Sequence, residues 1–463
     1  MSAVSIAYIV FILLGLLSFA FLAPQRAVAT VYLSGLIFLP VSFYSMIPAE
    51  PADAAALPSY LIMTLALPAN ELVNKAVIAA ITALIGALLF DHRRFLHFRP
   101  SIIDLPMAGW CLWPTVQSLF IVTEPVGWLS SIYLFVLWGV PWLLGRIYFS
   151  ERAGRLALAD IIVGLTLSLL PIAIIEGASG QRVYEWIFGV HPFADVGAER
   201  YLGYRPLAMF EDGNQYGLWV CCAALLAIWR VKTVPSNDEK KWRMVAAVTL
   251  CTLAVAAQSI GALLLMGAGI AILQSDRLLR YSSKMAVPAL ILIGIGLAVY
   301  GSGIIPLRSI AKETAVGQLA MDALRATGRS SFAWRISQDQ QTLPQIQEYI
   351  LVGSGQWNWW LELGKRPWGL LLLLVGQFGL IGIFLALCSP IAAMLAQLRN
   401  TQFNQEIEAE HNQPKSRQSS TLAFSIIVII TLTDGLLNAF IFLPVTMFAG
   451  SLVLNQRFQV SSR

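Results

Sequence analysis

Charge is what this sequence has least of. Only 12% of its 463 residues are Asp, Glu, Lys or Arg, against 57% hydrophobic, whereas a soluble domain carries about 25% charged side chains. A chain so poor in polar groups cannot cover itself with water-facing surface, which excludes a soluble globular fold. The five cysteines, Cys111, Cys221, Cys222, Cys251 and Cys388, are odd in number and all lie inside apolar runs. They read as small buried hydrophobes, not disulfide partners or metal ligands. Four dispersed histidines with no cysteines beside them make a zinc site unexpected, and no metal or cofactor is predicted. The net charge of +5 comes without a clustered basic stripe, which excludes a nucleic-acid surface. Gly301-Ser302-Gly303 and Gly353-Ser354-Gly355 lack phosphate-loop and dinucleotide spacing, so no nucleotide site is expected.

What is present is a succession of apolar runs. A run of about 20 residues spans a bilayer core as a helix, and flanking Lys and Arg orient it. The sequence predicts an all-α polytopic membrane protein, a single membrane domain over 1–463, with about 13 spans. They fall near 5–22, 28–47, 75–90, 102–122, 126–148, 156–175, 214–229, 245–257, 261–273, 285–299, 369–388, 421–433 and 436–453. No Lys or Arg precedes the first, so it reads as a retained span and not a cleaved signal peptide. The stretch 59–68 is too short to span and reads as re-entrant or interfacial.

Roughly two thirds of the 31 Lys and Arg then fall on the inside, which includes a flexible loop over 389–420 and the C-terminus. Most of the others fall in two outside loops, 176–213 and 303–368, and two basic excursions on one face predict one site. In the larger loop the spacing predicts an amphipathic helix over 343–351, capping a pocket between helices. At the end of the smaller loop, Arg205 stands at the head of a span followed by Glu211, Asp212 and Asn214. A guanidinium there suits a bidentate grip on phosphate or pyrophosphate; pairing with Glu211 or Asp212, or snorkelling to lipid phosphate, is the alternative. Asp104 and Asp160 lie at inside ends of spans, where a carboxylate is costly. Asp434, at the turn between the last two spans, reads as a solvated loop residue.

Three blocks resemble the O-antigen ligase and O-antigen polymerase family of bacterial membrane glycosyltransferases. The first is Arg205, Phe210 and Asn214 running into a span. The second is Ser331-Phe332-Ala333-Trp334-Arg335, followed about 18 residues later by Gly353-Ser354-Gly355. The third is Gln377-Phe378-Gly379-Leu380-Ile381-Gly382.

The resemblance implies an enzyme in the bacterial inner membrane, multi-pass, with the large loop periplasmic and the C-terminus cytoplasmic. It would transfer or polymerise a glycan from an undecaprenyl-pyrophosphate carrier onto a glycan or lipid acceptor, in cell-surface polysaccharide biosynthesis. Its other partners would be membrane lipids and polysaccharide export or assembly proteins. Carried onto this chain, the likeness names Arg205 and Arg335 for the pyrophosphate, with Arg329 as alternative to Arg335. Arginines preorganised in a water-poor pocket stabilise a leaving pyrophosphate without a metal. Asn214, Asp212 and Arg366 join the substrate-binding candidates. Trp357, Trp359 and Trp360 would stack on sugar rings or anchor the loop at the interface. Where family members carry a histidine about 11 residues before the Gly-Leu-Ile-Gly block, this chain has Trp368. A proton acceptor would then come from Asp339, Glu362, Glu211 or Asp212. The alternative readings are a lipid-linked glycan flippase or transporter, and a catalytically silent member of an assembly complex. A flippase should show two related halves with midplane binding residues, and no internal repeat is found.

Overall fold

The computed structural model describes residues 3–41, 73–121, 127–189, 191, 199–200, 202–234, 236–274, 310, 313–326, 330–357, 359–360, 363, 367–399, 420–436, 438 and 442–453. The expected re-entrant stretch 59–68, the span 285–299 and the greater part of the loop 389–420 lie outside these.

The described residues are mostly helical. In chain order the helices are α1 (Ala3–Phe21), α2 (Pro24–Phe38), α3 (Lys75–Leu96), α4 (Leu105–Gln117), α5 (Gly127–Tyr148), α6 (Arg152–Ser168), α7 (Leu170–Ser179) and α8 (Val183–Phe188). A two-stranded antiparallel ribbon follows, β1 (Glu199–Arg200) and β2 (Gly203–Tyr204). Then come α9 (Gly213–Thr233), α10 (Asn237–Ala256), α11 (Ile260–Gln274), α12 (Ala315–Ala326), α13 (Ser330–Glu348), α14 (Leu370–Arg399), α15 (Ser420–Asp434) and α16 (Val445–Ser451). Among the described residues, six helical stretches are long and apolar enough to cross a membrane: α1, α3, α5, α6 with α7, α9 and α14. The shorter apolar helices α11 and α15 pack among them. This is a helical membrane protein.

Burial orders the bundle. Within its most apolar window α9 is 83% buried, so it is the central post, while α1 is only 17% buried. Leu13, Leu14, Leu17 and Phe21 of α1 are left bare, as expected of side chains facing lipid tails. Around α9 pack α6, α10, α11 and α15; α3 packs on α1 and α2, and α4 on α5 and α14.

Several expected spans are broken. The 126–148 run contains one π-helical segment, Phe135–Gly139, and the 156–175 run is divided at Leu169 into α6 and α7. The stretch 230–243 between the expected spans 214–229 and 245–257 is largely helical, because α9 runs to Thr233 and α10 starts at Asn237. Among the described residues of the last expected span, 436–453, the helix is Val445–Ser451. In the large loop, α13 begins at Ser330 and continues to Glu348. The expected helix over 343–351 is therefore only the end of a longer one, and Leu343 and Ile346 supply its buried face.

The break in α14 explains two of the sequence blocks. Gly379 has φ 69° and ψ 180°, which splits the helix and frees backbone groups that must find new partners inside an apolar bundle. The 350–355 stretch supplies them. Leu380 N donates to Ile350 O at 2.8 Å, Ser354 N to Gly376 O at 2.8 Å and Gly355 N to Gln377 O at 3.0 Å. Gln117 Nε2 of α4 donates to the carbonyls of Val352 and Gln377, both at 2.7 Å. Gly353-Ser354-Gly355 and Gln377-Phe378-Gly379 are two halves of one interlock. Gly353 is at φ 84°, where a Cβ would stand 2.3 Å from the Gln377 carbonyl oxygen; Gly355, at φ 74°, has nothing nearer than 3.8 Å. Gly353→Ala should therefore lose about 2–4 kcal/mol in thermal unfolding followed by tryptophan fluorescence, and Gly355→Ala only about 1 kcal/mol from backbone strain. Equal losses would mean that the close contact does not hold the interlock.

Candidate functional site

The polar centre of the molecule lies at the head of α9. Asp212 is its N-cap, with a side-chain oxygen accepting from Asn214 N at 2.6 Å. A short polar side chain is favoured there because the first turn has no intrahelical acceptors for its N–H groups. Directly before the cap, the 205–212 segment is buried throughout.

Arg205 lies flat against this turn. Its guanidinium is 1% exposed; Nε donates to Ala257 O at 2.9 Å and Nη2 to Asn214 Oδ1 at 2.8 Å. Gly213 leaves the room, since a Cβ there would stand 2.3 Å from Arg205 Nε. The carbonyl of Arg205 is itself held by Arg182 Nη1 at 2.6 Å, and Arg182 sits 3.8 Å from the Glu176 carboxylate. Glu176 also accepts the amides of Leu207 and Ala208, both at 2.8 Å. This clamp fixes the backbone that presents Arg205.

Arg335 reaches the same place from α13. Its Nη1 donates to Asn438 Oδ1, and its guanidinium lies 5.4 Å from the Trp368 ring centroid. Burial pulls the guanidinium below its usual pKa and Arg200 adds to that, while Asp212, Asp434 and Asp339 hold its charge. Asp212 thus ties the two arginines together, one through the turn it caps and the other through its field. Arg205 from one polar stretch and Arg335 from the other thus both lie near Asp212.

Asp339, expected as a proton acceptor, is 2% exposed, and its Oδ1 accepts from Trp368 N at 2.6 Å and Gly369 N at 3.3 Å. It therefore anchors the entry to α14. There Leu370 N donates to Gly435 O at 2.8 Å and Asn438 O at 3.1 Å, joining the start of α14 to the end of α15. Asp339→Ala should cost about 1–3 kcal/mol by leaving two buried amides without an acceptor. Asp339→Asn, which keeps an oxygen there, should cost less than half of that in the same unfolding assay. An Asn variant as unstable as the Ala variant would remove the anchor role.

Glu211 and Trp357 line a second feature, a cavity of about 50 Å³ whose polar end also carries Asn74, Lys75 and Tyr133. Lys75 is buried at the start of α3, where its Nζ donates to Met209 O at 3.0 Å. The tryptophans differ from expectation. Trp357 is 8% exposed, with Nε1 donating to Ser130 Oγ at 2.9 Å and its ring edge-on to Tyr133 and Phe378. Trp359 and Trp360 are buried as well. All three are core side chains, neither interfacial anchors nor open sugar platforms, because the interlock at Gly379 draws their segment into the bundle. Arg329, Glu362 and Arg366 lie outside the described residues.

Asp434 is also placed differently from the sequence reading, 5% exposed and not solvated. Its Oδ1 accepts from Asn438 Nδ2 at 2.9 Å. The sequence does carry a signal for it, an acidic residue at the end of an apolar run. Asn438 carries none. Asp104 and Asp160 are ion-paired. Asp104 binds Arg146 at 2.9 Å and Trp142 Nε1 at 2.8 Å; Asp160 binds Arg230 at 2.7 Å and Arg243 at 2.6 Å.

Set against protein-family models, curated proteins and solved structures, the chain has no match in any of the three. The residues themselves carry the functional reading.

One histidine borders the centre. His191 is 2% exposed, its Nε2 is 3.1 Å from Phe210 O, and its ring meets Tyr184 edge-on. Burial pushes the imidazole down to about 4, reinforced by Lys75 and Arg182 against the pull of the Phe210 carbonyl. The unfolded chain's imidazole titrates near 6.5, so between about pH 6.5 and 4 the unfolded state binds the extra proton. The contribution is full above pH 6.5 and is lost as pH falls through that window. His191→Gln should flatten this part of the pH dependence of the unfolding temperature; an unchanged slope would show that another group sets it.

Proposed function

We propose that this protein is a membrane glycosyltransferase that takes a glycan from a polyprenyl-pyrophosphate carrier and joins it to a hydroxyl acceptor. The observation that carries the reading is the convergence of Arg205 and Arg335 on the capped head of α9. Arg205 is buried and Arg335 half-buried, and each comes from a different polar stretch. In this reading the stretches 176–213 and 303–368 face the outer side of a bacterial inner membrane, the chain crosses it about 13 times, and the C-terminus lies inside.

The chemistry follows from charge. As the glycan leaves its carrier, negative charge grows on the pyrophosphate, and two fixed guanidiniums largely withdrawn from water stabilise that charge more than they stabilise the ground state. Both lie near Asp212 at the head of α9, and in this reading that end of the bundle faces the membrane surface from which a lipid-linked ligand would enter. A transporter would hold its cations near the middle of the bilayer.

The test is transfer by purified protein in lipid nanodiscs with a radiolabelled polyprenyl-pyrophosphate glycan. Wild type should release polyprenyl pyrophosphate and form a larger glycan, and Arg205→Ala or Arg335→Ala should each cut the rate by about 10²–10³. Carrier binding without release by the wild type would refute transfer and leave flipping as the better reading. Full activity in both variants would refute the site.

A further inference from the structure

Joining a hydroxyl to an anomeric carbon requires something to take the hydroxyl proton. This inference rests on the transfer reading above. Three carboxylates lie in the field of Arg335, those of Asp212, Asp339 and Asp434. Two have structural duties. Asp212 caps α9 through Asn214 N, and Asp339 holds the amides of Trp368 and Gly369.

Asp434 differs. Its Oδ1 accepts from Asn438 Nδ2 at 2.9 Å, and among the described residues its Oδ2 is buried without any hydrogen-bond partner. A buried carboxylate oxygen left so is costly, and native proteins tolerate one where a ligand completes it. What it lacks is a donor, and a hydroxyl is a donor. Asn438 meanwhile bridges the two charges, accepting from Arg335 through Oδ1 and donating to Asp434 through Nδ2. One amide therefore sets the carboxylate and the guanidinium at a fixed separation.

We propose that Asp434 is the proton acceptor of the transfer, and that its ligand is a saccharide hydroxyl. The hydroxyl donates to Oδ2, and its oxygen attacks the anomeric carbon of the carrier-linked glycan. As that carbon–oxygen bond forms, the bond from the anomeric carbon to the pyrophosphate oxygen breaks. The electron pair leaves on the pyrophosphate, where Arg335 and Arg205 meet the charge, and the hydroxyl proton passes to Asp434. The products are a longer glycan and polyprenyl pyrophosphate, with Asp434 returning the proton to solvent.

The experiment compares wild type, Asp434→Asn and Asp434→Ala in nanodiscs, measuring transfer and binding of the same labelled carrier, with and without sodium formate. Asp434→Asn keeps the shape and the Asn438 contact but loses basicity. Transfer should fall by about 10²–10⁴ with carrier binding unchanged. In Asp434→Ala, formate should restore part of the lost rate, since a small carboxylate can enter the space and take the proton. Wild-type transfer in Asp434→Asn would overturn the assignment and leave the glycosyltransferase reading standing. Loss of carrier binding in Asp434→Asn together with no formate rescue in Asp434→Ala would overturn it in favour of a structural role. A wild type that binds carrier but never releases it overturns the transfer reading, and this assignment falls with it.

Discussion

In a bundle this apolar, a charge that leaves water survives only where other polar groups meet it, because an unmatched buried ion costs several kcal/mol. The placement of the helix ends follows from that requirement. Arg146 is met by Asp104 and the Val453 carbonyl. Arg155 is met by Ser420 and the carbonyls of Ser150 and Ser451. Arg230 and Arg243 share Asp160. Each of these knots joins elements distant in sequence, such as α5 with the end of α16, or α6 with α9 and α10. At these knots the pairing makes each arginine a staple, where lone charges would be a liability. The knot around the head of α9 obeys the same rule with one difference: its arginines bond to side-chain amides, Arg205 to Asn214 and Arg335 to Asn438, with Asp212, Asp434 and Asp339 in the field of Arg335.

That difference separates the parts of the molecule that could be read from sequence from those that could not. The class was legible because hydropathy over a long window depends on composition alone, and α1, α3, α9 and α14 lie where their apolar runs lie. The breaks were not. Gly379 in α14, the π-helical segment of α5 and the division after Ser168 each depend on whether another segment supplies partners for freed backbone groups. No local window contains that information. The 350–355 stretch satisfies the Gly379 break from across a polar loop, which is why two separate glycine blocks in the sequence turn out to be one structural feature.

For the site, residue type was a better guide than residue role. Arg205, Arg335, Asp212 and Asn214 were visible as polar residues in otherwise apolar surroundings, and they do converge. Asp339 was visible too, but a carboxylate that caps backbone amides looks in sequence like one that accepts a proton. The three tryptophans show the same limit, since aromatic amphipathic side chains suit an interface, a sugar face or a core equally well. Asp434 and Asn438 were passed over because a Gly follows Asp434 and the segment reads as a turn. The turn is real, and the packing of α14 against it buries what would otherwise be solvated.

The convergence also bears on how the two polar stretches must act. Arg335 is carried by α13, whose contact with the rest of the bundle runs through Asp339 at the entry to α14, through Leu343 and Ile346, and through Asn438. Arg205 is fixed by the Glu176 and Arg182 clamp and by Ala257. One arginine thus sits beside the central post, and the other is carried by α13. Under the proposed function, a pyrophosphate bound by both arginines would draw α13 against the post as the ligand is taken up. Under that reading the fixed half alone would bind the anion without setting the geometry for transfer, which would depend on the docking of α13 as well as on the individual side chains.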